Sequence, residues 1–246
     1  MKSLRRAIDA TIGAWTRHVV FMIARSYLAL RFNISCSGKH LIQDLPGGLI
    51  LASHVSRFDG PLVVAALYSS RRVRPAVHYD EYHNHLQKVP MLLVNAVPMS
   101  SPKSWSAERR AAQKDWALNI MRRIIANQNF VLLFPAGRVK RTPRETIEPH
   151  FSGAYETLKA IPDCPVVMVR IQGLSKFDKP VRDQFWYWTR LLPGRRHITL
   201  TLELIENGLD TAVPLEIFNR DLEERLNAGP AWPQIEASSD EGGLPL

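Results

Sequence analysis

The chain has 246 residues, of which 46% are hydrophobic and 22% are charged. This length and balance fit one α/β domain with a terminal extension and exclude disorder over the whole chain. The net charge of +9 favours an anionic partner, such as an acidic membrane surface, a phosphorylated substrate or nucleic acid. Cys36 and Cys164 form no CxxC pair, so we expect neither a zinc site nor a disulfide framework.

The first predicted element is a helix over residues 4–31. Its apolar residues recur at three- and four-residue steps and have arginines beside them, namely Leu4, Ile8, Ile12, Trp15, Val19, Met22, Ile23, Tyr27 and Leu30. This pattern fits both a helix in a membrane interface and a helix packed on the domain's own core. No segment has the roughly 20 apolar residues of a membrane span, and none resembles a cleaved signal peptide.

Buried-type strands alternate with helices along the rest of the chain. Strands are predicted over residues 47–53, 73–79, 130–134, 165–171 and 197–204, and residues 91–97 form another apolar run. Helices are predicted over residues 61–68, 107–127, 153–161 and 214–226. In the long helix, one side should carry Trp116, Ile120, Ile124 and Ile125.

This alternation predicts an α/β fold: a single domain with a largely parallel mixed sheet flanked by helices, plus an N-terminal amphipathic helical segment. The predicted organisation has three parts. Residues 1–34 form a helical segment that associates with membranes, residues 35–228 form the main domain, and residues 229–246 form a flexible tail.

The segment from Ser53 to Pro61 is the first candidate site. His54 and Asp59 are separated by four residues, where a buried strand gives way to a helix, and active sites of open α/β sheets gather at such strand ends. A carboxylate on one imidazole nitrogen would orient the ring, and the other nitrogen could then act as a general base. The same residues also fit a helix N-cap at Asp59 and a buried, satisfied histidine at His54.

The second candidate site follows the strand predicted over residues 130–134. A Pro-x-Gly turn is succeeded by a basic cluster, and turn amides together with basic side chains can hold a phosphate. The candidate anion-binding residues are Pro135, Gly137, Arg138, Lys140 and Arg141. A plain turn with a solvated basic edge would give the same pattern.

Together and in this order, these two segments resemble the glycerolipid acyltransferase family (PlsC-like, the lysophosphatidic acid acyltransferases and relatives). The His-x4-Asp motif of that family is matched by His54 and Asp59. Its Phe-Pro-Glu-Gly motif is matched by Phe134, Pro135 and Gly137, about 75 residues further on. A later apolar strand with a proline is similar to residues 165–169, and the resemblance covers about residues 35–175.

The resemblance implies transfer of a fatty acyl group from an acyl thioester, on coenzyme A or acyl carrier protein, to the hydroxyl of a lysophospholipid-type acceptor such as 1-acylglycerol 3-phosphate. It implies no metal and no redox cofactor. It also implies a monotopic protein on the cytoplasmic face of a membrane with anionic lipid, in phospholipid biosynthesis or remodelling. Ala136 stands where the family has glutamate, and Arg138 directly follows Gly137, where the family has threonine, so the acceptor is open.

Three other readings remain. A serine-dependent lipid hydrolase would use Ser53 or Ser56, although no Gly-x-Ser-x-Gly elbow is present. A membrane-binding protein that has lost catalysis would explain Ala136. Nucleic-acid binding rests on charge alone, without a recognised motif, and we do not expect it.

Overall fold

A computed structural model describes most of the chain between residues 18 and 228. The residues outside the described set are 1–17, 20, 21, 24, 31, 57, 58, 68–71, 86, 87, 101–103, 141, 143, 175–195, 207 and 229–246. The tail predicted over residues 229–246 and the first part of the predicted N-terminal helix therefore lie outside the described residues.

The described residues contain seven strands in one sheet. The strands are β1 (Phe32–Ser37), β2 (Gly48–Ala52), β3 (Val73–His78), β4 (Val97–Ser100), β5 (Phe130–Leu133), β6 (Val166–Gln172) and β7 (Arg196–Leu204). Their order across the sheet is β1-β7-β6-β2-β5-β3-β4. All neighbours pair in parallel except β6 and β7, so the predicted largely parallel mixed sheet is confirmed.

Helices cover the sheet and connect its strands. They are α1 (His40–Asp44), α2 (Asp59–Leu67), α3 (Tyr79–His83), α4 (Lys88–Leu93), α5 (Ala107–Ala126), α6 (Gly153–Ala160) and α7 (Leu215–Asn227). Residues 25–30 are also helical, immediately before β1. Among the described residues, no helix has both the length and the apolar character needed to cross a bilayer.

Both faces of the sheet are buried, which explains why the central strands are apolar throughout. Successive side chains of a strand point to opposite faces, so Ile50 of β2 packs into one core cluster and Leu51 into the other. The first cluster includes α2 and Leu28 of the 25–30 helical segment, and the second includes α5, α6 and α7. This doubly covered sheet fixes the strand ends that carry the site.

Three sequence expectations need correction. Residues 32–34, which were assigned to the N-terminal helical segment, form the first half of β1. The apolar run over residues 91–97 is divided between the end of α4 and the start of β4. In α5 the predicted residues Ile120, Ile124 and Ile125 do pack against the core, but Trp116 is exposed, and the buried residues also include Ala117, Leu118 and Met121.

Candidate active site

The corner between β2 and α2 carries His54 and Asp59. Strand β2 is fully buried and ends at Ala52, and α2 begins at Asp59 itself. Arg57 and Phe58 lie outside the described residues. Because β2 is central and parallel to both of its neighbours, β5 and β6, the corner opens at the carboxyl edge of the sheet, as the sequence predicts.

A single oxygen of Asp59 holds this corner together. Oδ2 accepts hydrogen bonds from the backbone N–H of Val55 at 2.6 Å, the backbone N–H of Ser56 at 2.8 Å and Nδ1 of His54 at 2.9 Å. The carboxyl group thus satisfies the two turn amides and also positions the imidazole. Both amides precede α2, so Oδ2 stabilises the turn and orients His54, and its contacts are not those of a helix N-cap.

The electrostatics follow from burial. The Asp59 side chain is 0% exposed, whereas that of His54 is 20% exposed. Burial raises the pKa of Asp59, and the hydrogen bonds from His54, Ser56 and Val55 oppose that rise. Since Oδ2 accepts three donors, the proton of the neutral imidazole belongs on Nδ1, which leaves the Nε2 lone pair available to take a proton.

The turn after β5 lies directly against the histidine. The ring of Phe134 stacks on the His54 ring with centroids 4.5 Å apart and an interplanar angle of 30°. The backbone N–H of Lys140 donates to the His54 carbonyl at 2.7 Å. The two segments that are about 75 residues apart in sequence therefore form one site, because β2 and β5 are adjacent parallel strands.

The proposed anion-binding residues occupy this turn in different ways. Pro135 is buried, and Gly137, with φ of +61°, closes the turn by donating its N–H to the Phe134 carbonyl at 2.9 Å. Arg138 is paired with the carboxylate of Glu148. Arg141 lies outside the described residues.

Ser53 is placed as a structural residue. It is buried, and its hydroxyl accepts a hydrogen bond from the Ile171 N–H at 3.1 Å, which ties β2 to β6. Its position gives no hydrogen bond to His54 among the described residues, so a Ser53–His54 nucleophile pair is not formed. The described residues also contain no cluster of three or more His, Cys, Asp or Glu that could hold a metal ion.

Sequence reasoning missed one group of the site, Glu145. This side chain is 2% exposed, and its Oε1 accepts a hydrogen bond from the His54 backbone N–H at 3.0 Å. Burial raises its pKa, with the His54 hydrogen bond and the charges of His54 and Lys140 opposing the rise. Glu145 follows a run of basic and turn residues, and no local pattern distinguishes it from a surface glutamate.

Comparison with known proteins agrees with this geometry. The family model described as Acyltransferase matches residues 33–172, more than half of the chain. The chain belongs to this acyltransferase family, and the predicted enzyme class is confirmed.

The fold is similar to the crystal structure of the 1-acyl-sn-glycerophosphate (LPA) acyltransferase PlsC from Thermotoga maritima. The match has a TM-score of 0.51 and 14% sequence identity, and it covers 85% of this chain and 78% of that chain. A comparison with curated proteins found no match. The predicted resemblance to the PlsC-like family thus agrees with both the family match and the fold.

Proposed function

We propose that the protein transfers a fatty acyl group from an acyl thioester, carried by coenzyme A or acyl carrier protein, to the hydroxyl of a lysophospholipid-type acceptor such as 1-acylglycerol 3-phosphate. The observation that carries this proposal is the imidazole of His54, which is 20% exposed and is held through Nδ1 by the buried Asp59. A base fixed in this way suits an alcohol acceptor, because a hydroxyl must lose its proton as it attacks.

The proposed reaction is a direct transfer. Nε2 of His54 takes the acceptor's hydroxyl proton while the oxygen forms a C–O bond to the thioester carbonyl. The C–S bond then breaks, and the imidazolium returns its proton to the leaving thiolate, which gives an ester and a free thiol. Asp59 stabilises the imidazolium and keeps the ring in place, and general base catalysis of this kind contributes about 10²–10⁴-fold.

An anionic head group is supported by the turn after β5. Arg138 is 41% exposed and its partner Glu148 is 33% exposed, and exposed ion pairs contribute only about 0–1 kcal/mol. A phosphate could therefore replace Glu148 at the guanidinium at little cost. We propose that Arg138, with Lys140 and Arg141, binds the phosphate of the acceptor, while Gly137 and Pro135 shape the turn.

Transfer to a lipid implies work at a membrane surface, and the helix before β1 supports this. Leu28 is buried in the core, but Ile23 is 64%, Tyr27 is 48% and Leu30 is 71% exposed. These three residues recur at four- and three-residue steps and so share a face. We propose that this face lies in the interface of an anionic membrane on the cytoplasmic side.

The transfer reaction is tested with purified protein, labelled acyl thioesters on both carriers, and a panel of lysolipids with and without phosphate. We expect an ester product from the phosphorylated acceptors and a loss of about 10²–10⁴-fold in His54→Ala. His40→Ala, an exposed histidine of α1, is the matched control. A stable acyl-serine adduct would favour the hydrolase instead, and equal background turnover by wild type and His54→Ala would favour a non-catalytic membrane-binding protein.

Membrane association is tested by vesicle sedimentation. The double variant Ile23→Ser with Leu30→Ser should bind less than wild type to vesicles rich in anionic lipid, and Leu92→Ser, another exposed leucine, should bind as wild type does. Point substitutions are preferable to removal of residues 1–31, since Leu28 belongs to the core. Unchanged sedimentation of the double variant would refute the anchoring role.

A further inference from the structure

We propose that Glu145 is a positioning residue for the catalytic base and that one face of α7 holds Glu145 in place. The inference rests on His54 acting as the base of the proposed reaction. Two observations support it. Glu145 accepts a hydrogen bond from the His54 backbone N–H, and a row of side chains on α7 contacts the segment around Glu145. Helix α7 lies outside residues 33–172, the region matched by the acyltransferase family.

Glu145 acts on His54 at a point that Asp59 does not reach. Asp59 holds the imidazole and the next two backbone amides, whereas Oε1 of Glu145 accepts the His54 N–H at 3.0 Å. The position of the His54 Cα is thereby fixed from a second direction. The other oxygen of Glu145, Oε2, is buried and has no hydrogen-bond partner among the described residues, so the carboxyl group is placed for the His54 contact at the expense of its own solvation.

Helix α7 fixes the backbone of Glu145 through Asn227. The Asn227 side chain accepts the Glu145 N–H at 2.9 Å and donates to the Glu145 carbonyl at 3.0 Å. An amide side chain that satisfies both backbone groups of one residue leaves that residue little freedom to rotate. Asn227 therefore determines where the Glu145 side chain begins.

Two more side chains on the same face of α7 extend this contact. Glu223 accepts the Ile147 N–H at 2.9 Å, and Asn219 donates to the carbonyl of Phe151 at 3.0 Å. Asn219, Glu223 and Asn227 are spaced by four residues, so they form one row along the helix. The segment over residues 145–151 is therefore bound to α7 by side chains, and it transmits the position of that helix to His54.

The experiment compares Glu145→Ala and Glu145→Gln with wild type. Alanine removes the acceptor of the His54 N–H, and we expect kcat to fall by about 10–100-fold with little change in KM for the thioester. Glutamine keeps an oxygen at the position of Oε1, so it should recover most of that loss. Glu224→Ala, an exposed glutamate of α7, is the control and should match wild type. Thermal unfolding checks that each variant is folded.

A double variant tests the part assigned to α7. Asn227→Ala alone should lower kcat by about tenfold. If Asn227 acts through Glu145, the kcat of the double variant should be no more than about threefold below that of Glu145→Ala alone, since the effects of residues in one network are not additive. Losses that multiply in the double variant would overturn the link between α7 and His54.

Hydrogen exchange separates this inference from the proposed reaction. In wild type and in Glu145→Gln, the peptide that contains the His54 amide should exchange slowly, and in Glu145→Ala it should exchange faster. A wild type that transfers no acyl group would refute the proposed reaction, but the exchange result would still test the hydrogen bond from His54 to Glu145. Equal exchange and equal kcat in Glu145→Ala and wild type would overturn the positioning role.

Discussion

The β2–α2 corner and the turn after β5 touch each other but are built on different principles. In the corner, a fully buried carboxylate receives three hydrogen bonds at one oxygen, and His54 is held at its ring, its N–H and its carbonyl. In the turn, Arg138 is 41% exposed and is paired with Glu148, which is 33% exposed. The groups assigned to chemistry are preorganised, while the group assigned to binding can exchange its partner.

This difference has a physical reason. A catalytic base contributes most when its orientation is fixed before the substrate arrives, because no reorganisation is then needed in the transition state. A binding cation must release one anion to accept another, so it suits an exposed pair of low stability. The following predictions test this contrast, from the largest expected effect to the smallest.

Asp59→Asn should break the preorganised region. The asparagine oxygen, at the position of Oδ2, can still accept the Val55 and Ser56 amides and Nδ1 of His54, but the negative charge that stabilises the His54 imidazolium is lost. We expect a fall in kcat approaching about 10⁴-fold, the loss found for the corresponding change in a Ser-His-Asp triad. Asp163→Asn, at an exposed position, is the control. Transfer activity near that of wild type would contradict the role of the Asp59 charge in stabilising the imidazolium.

Arg138→Ala should affect binding rather than chemistry. We expect KM for a phosphorylated acceptor to rise about tenfold, as befits the loss of one charge-assisted contact, while kcat changes little. Glu148→Gln should lower that KM, because it frees the guanidinium. Steady-state kinetics measure both effects, and an acceptor without phosphate should respond to neither change. Arg123→Ala, near the opposite end of β5, is the control. If KM for the phosphorylated acceptor rises equally in Arg123→Ala, a local head-group site at Arg138 is contradicted.

Glu145→Gln should be more stable than wild type, and its advantage in the free energy of unfolding should increase with pH. Burial raises the pKa of Glu145 in the folded state. As pH rises towards that raised pKa, the carboxyl group ionises more readily in the unfolded chain than in the folded one, so the free energy of unfolding of wild type falls. Below the ordinary glutamate pKa both states of wild type are protonated, and glutamine resembles that form. Thermal unfolding should show the variant's advantage growing as pH rises above the ordinary glutamate pKa. A constant or shrinking advantage would contradict the buried carboxyl.

Gly137→Ala should have the smallest effect. Its φ of +61° is in the left-handed region, where a Cβ costs about 1–2 kcal/mol, although the neighbouring Phe151 ring, 3.5 Å from that Cβ, leaves room for it. Chemical denaturation should detect this loss in the free energy of unfolding. Gly60→Ala, within α2 and with its Cβ in ordinary contact with the Phe134 ring at 3.9 Å, should instead stabilise by about 0.5–1 kcal/mol. Equal signs for the two variants would show that backbone strain at Gly137 is absent.

Much of the fold follows from patterns that are local in sequence. Every strand predicted between residues 47 and 204 is present. Strands β2, β5 and β6 are nearly continuous apolar runs, as strands buried on both faces must be, while β7 alternates apolar and polar residues. Strand β1 was not predicted, because its alternating sequence at residues 32–37 follows the helical pattern without a clear boundary. On α5 only Trp116 was misplaced, because it is large and apolar, yet exposed.

The sequence by itself determined which residues make up the candidate site: a histidine and an aspartate at a strand–helix corner, and a proline–glycine turn with arginine. These signals are local, since a corner or a turn is specified by a few adjacent residues. Only the tertiary structure decided that Phe134 stacks on His54, that Glu148 pairs with Arg138, and that Glu145 reaches the histidine's backbone. Those contacts join residues brought together by the order of parallel strands and by the packing of α7. Neither arrangement can be predicted from a short stretch of sequence.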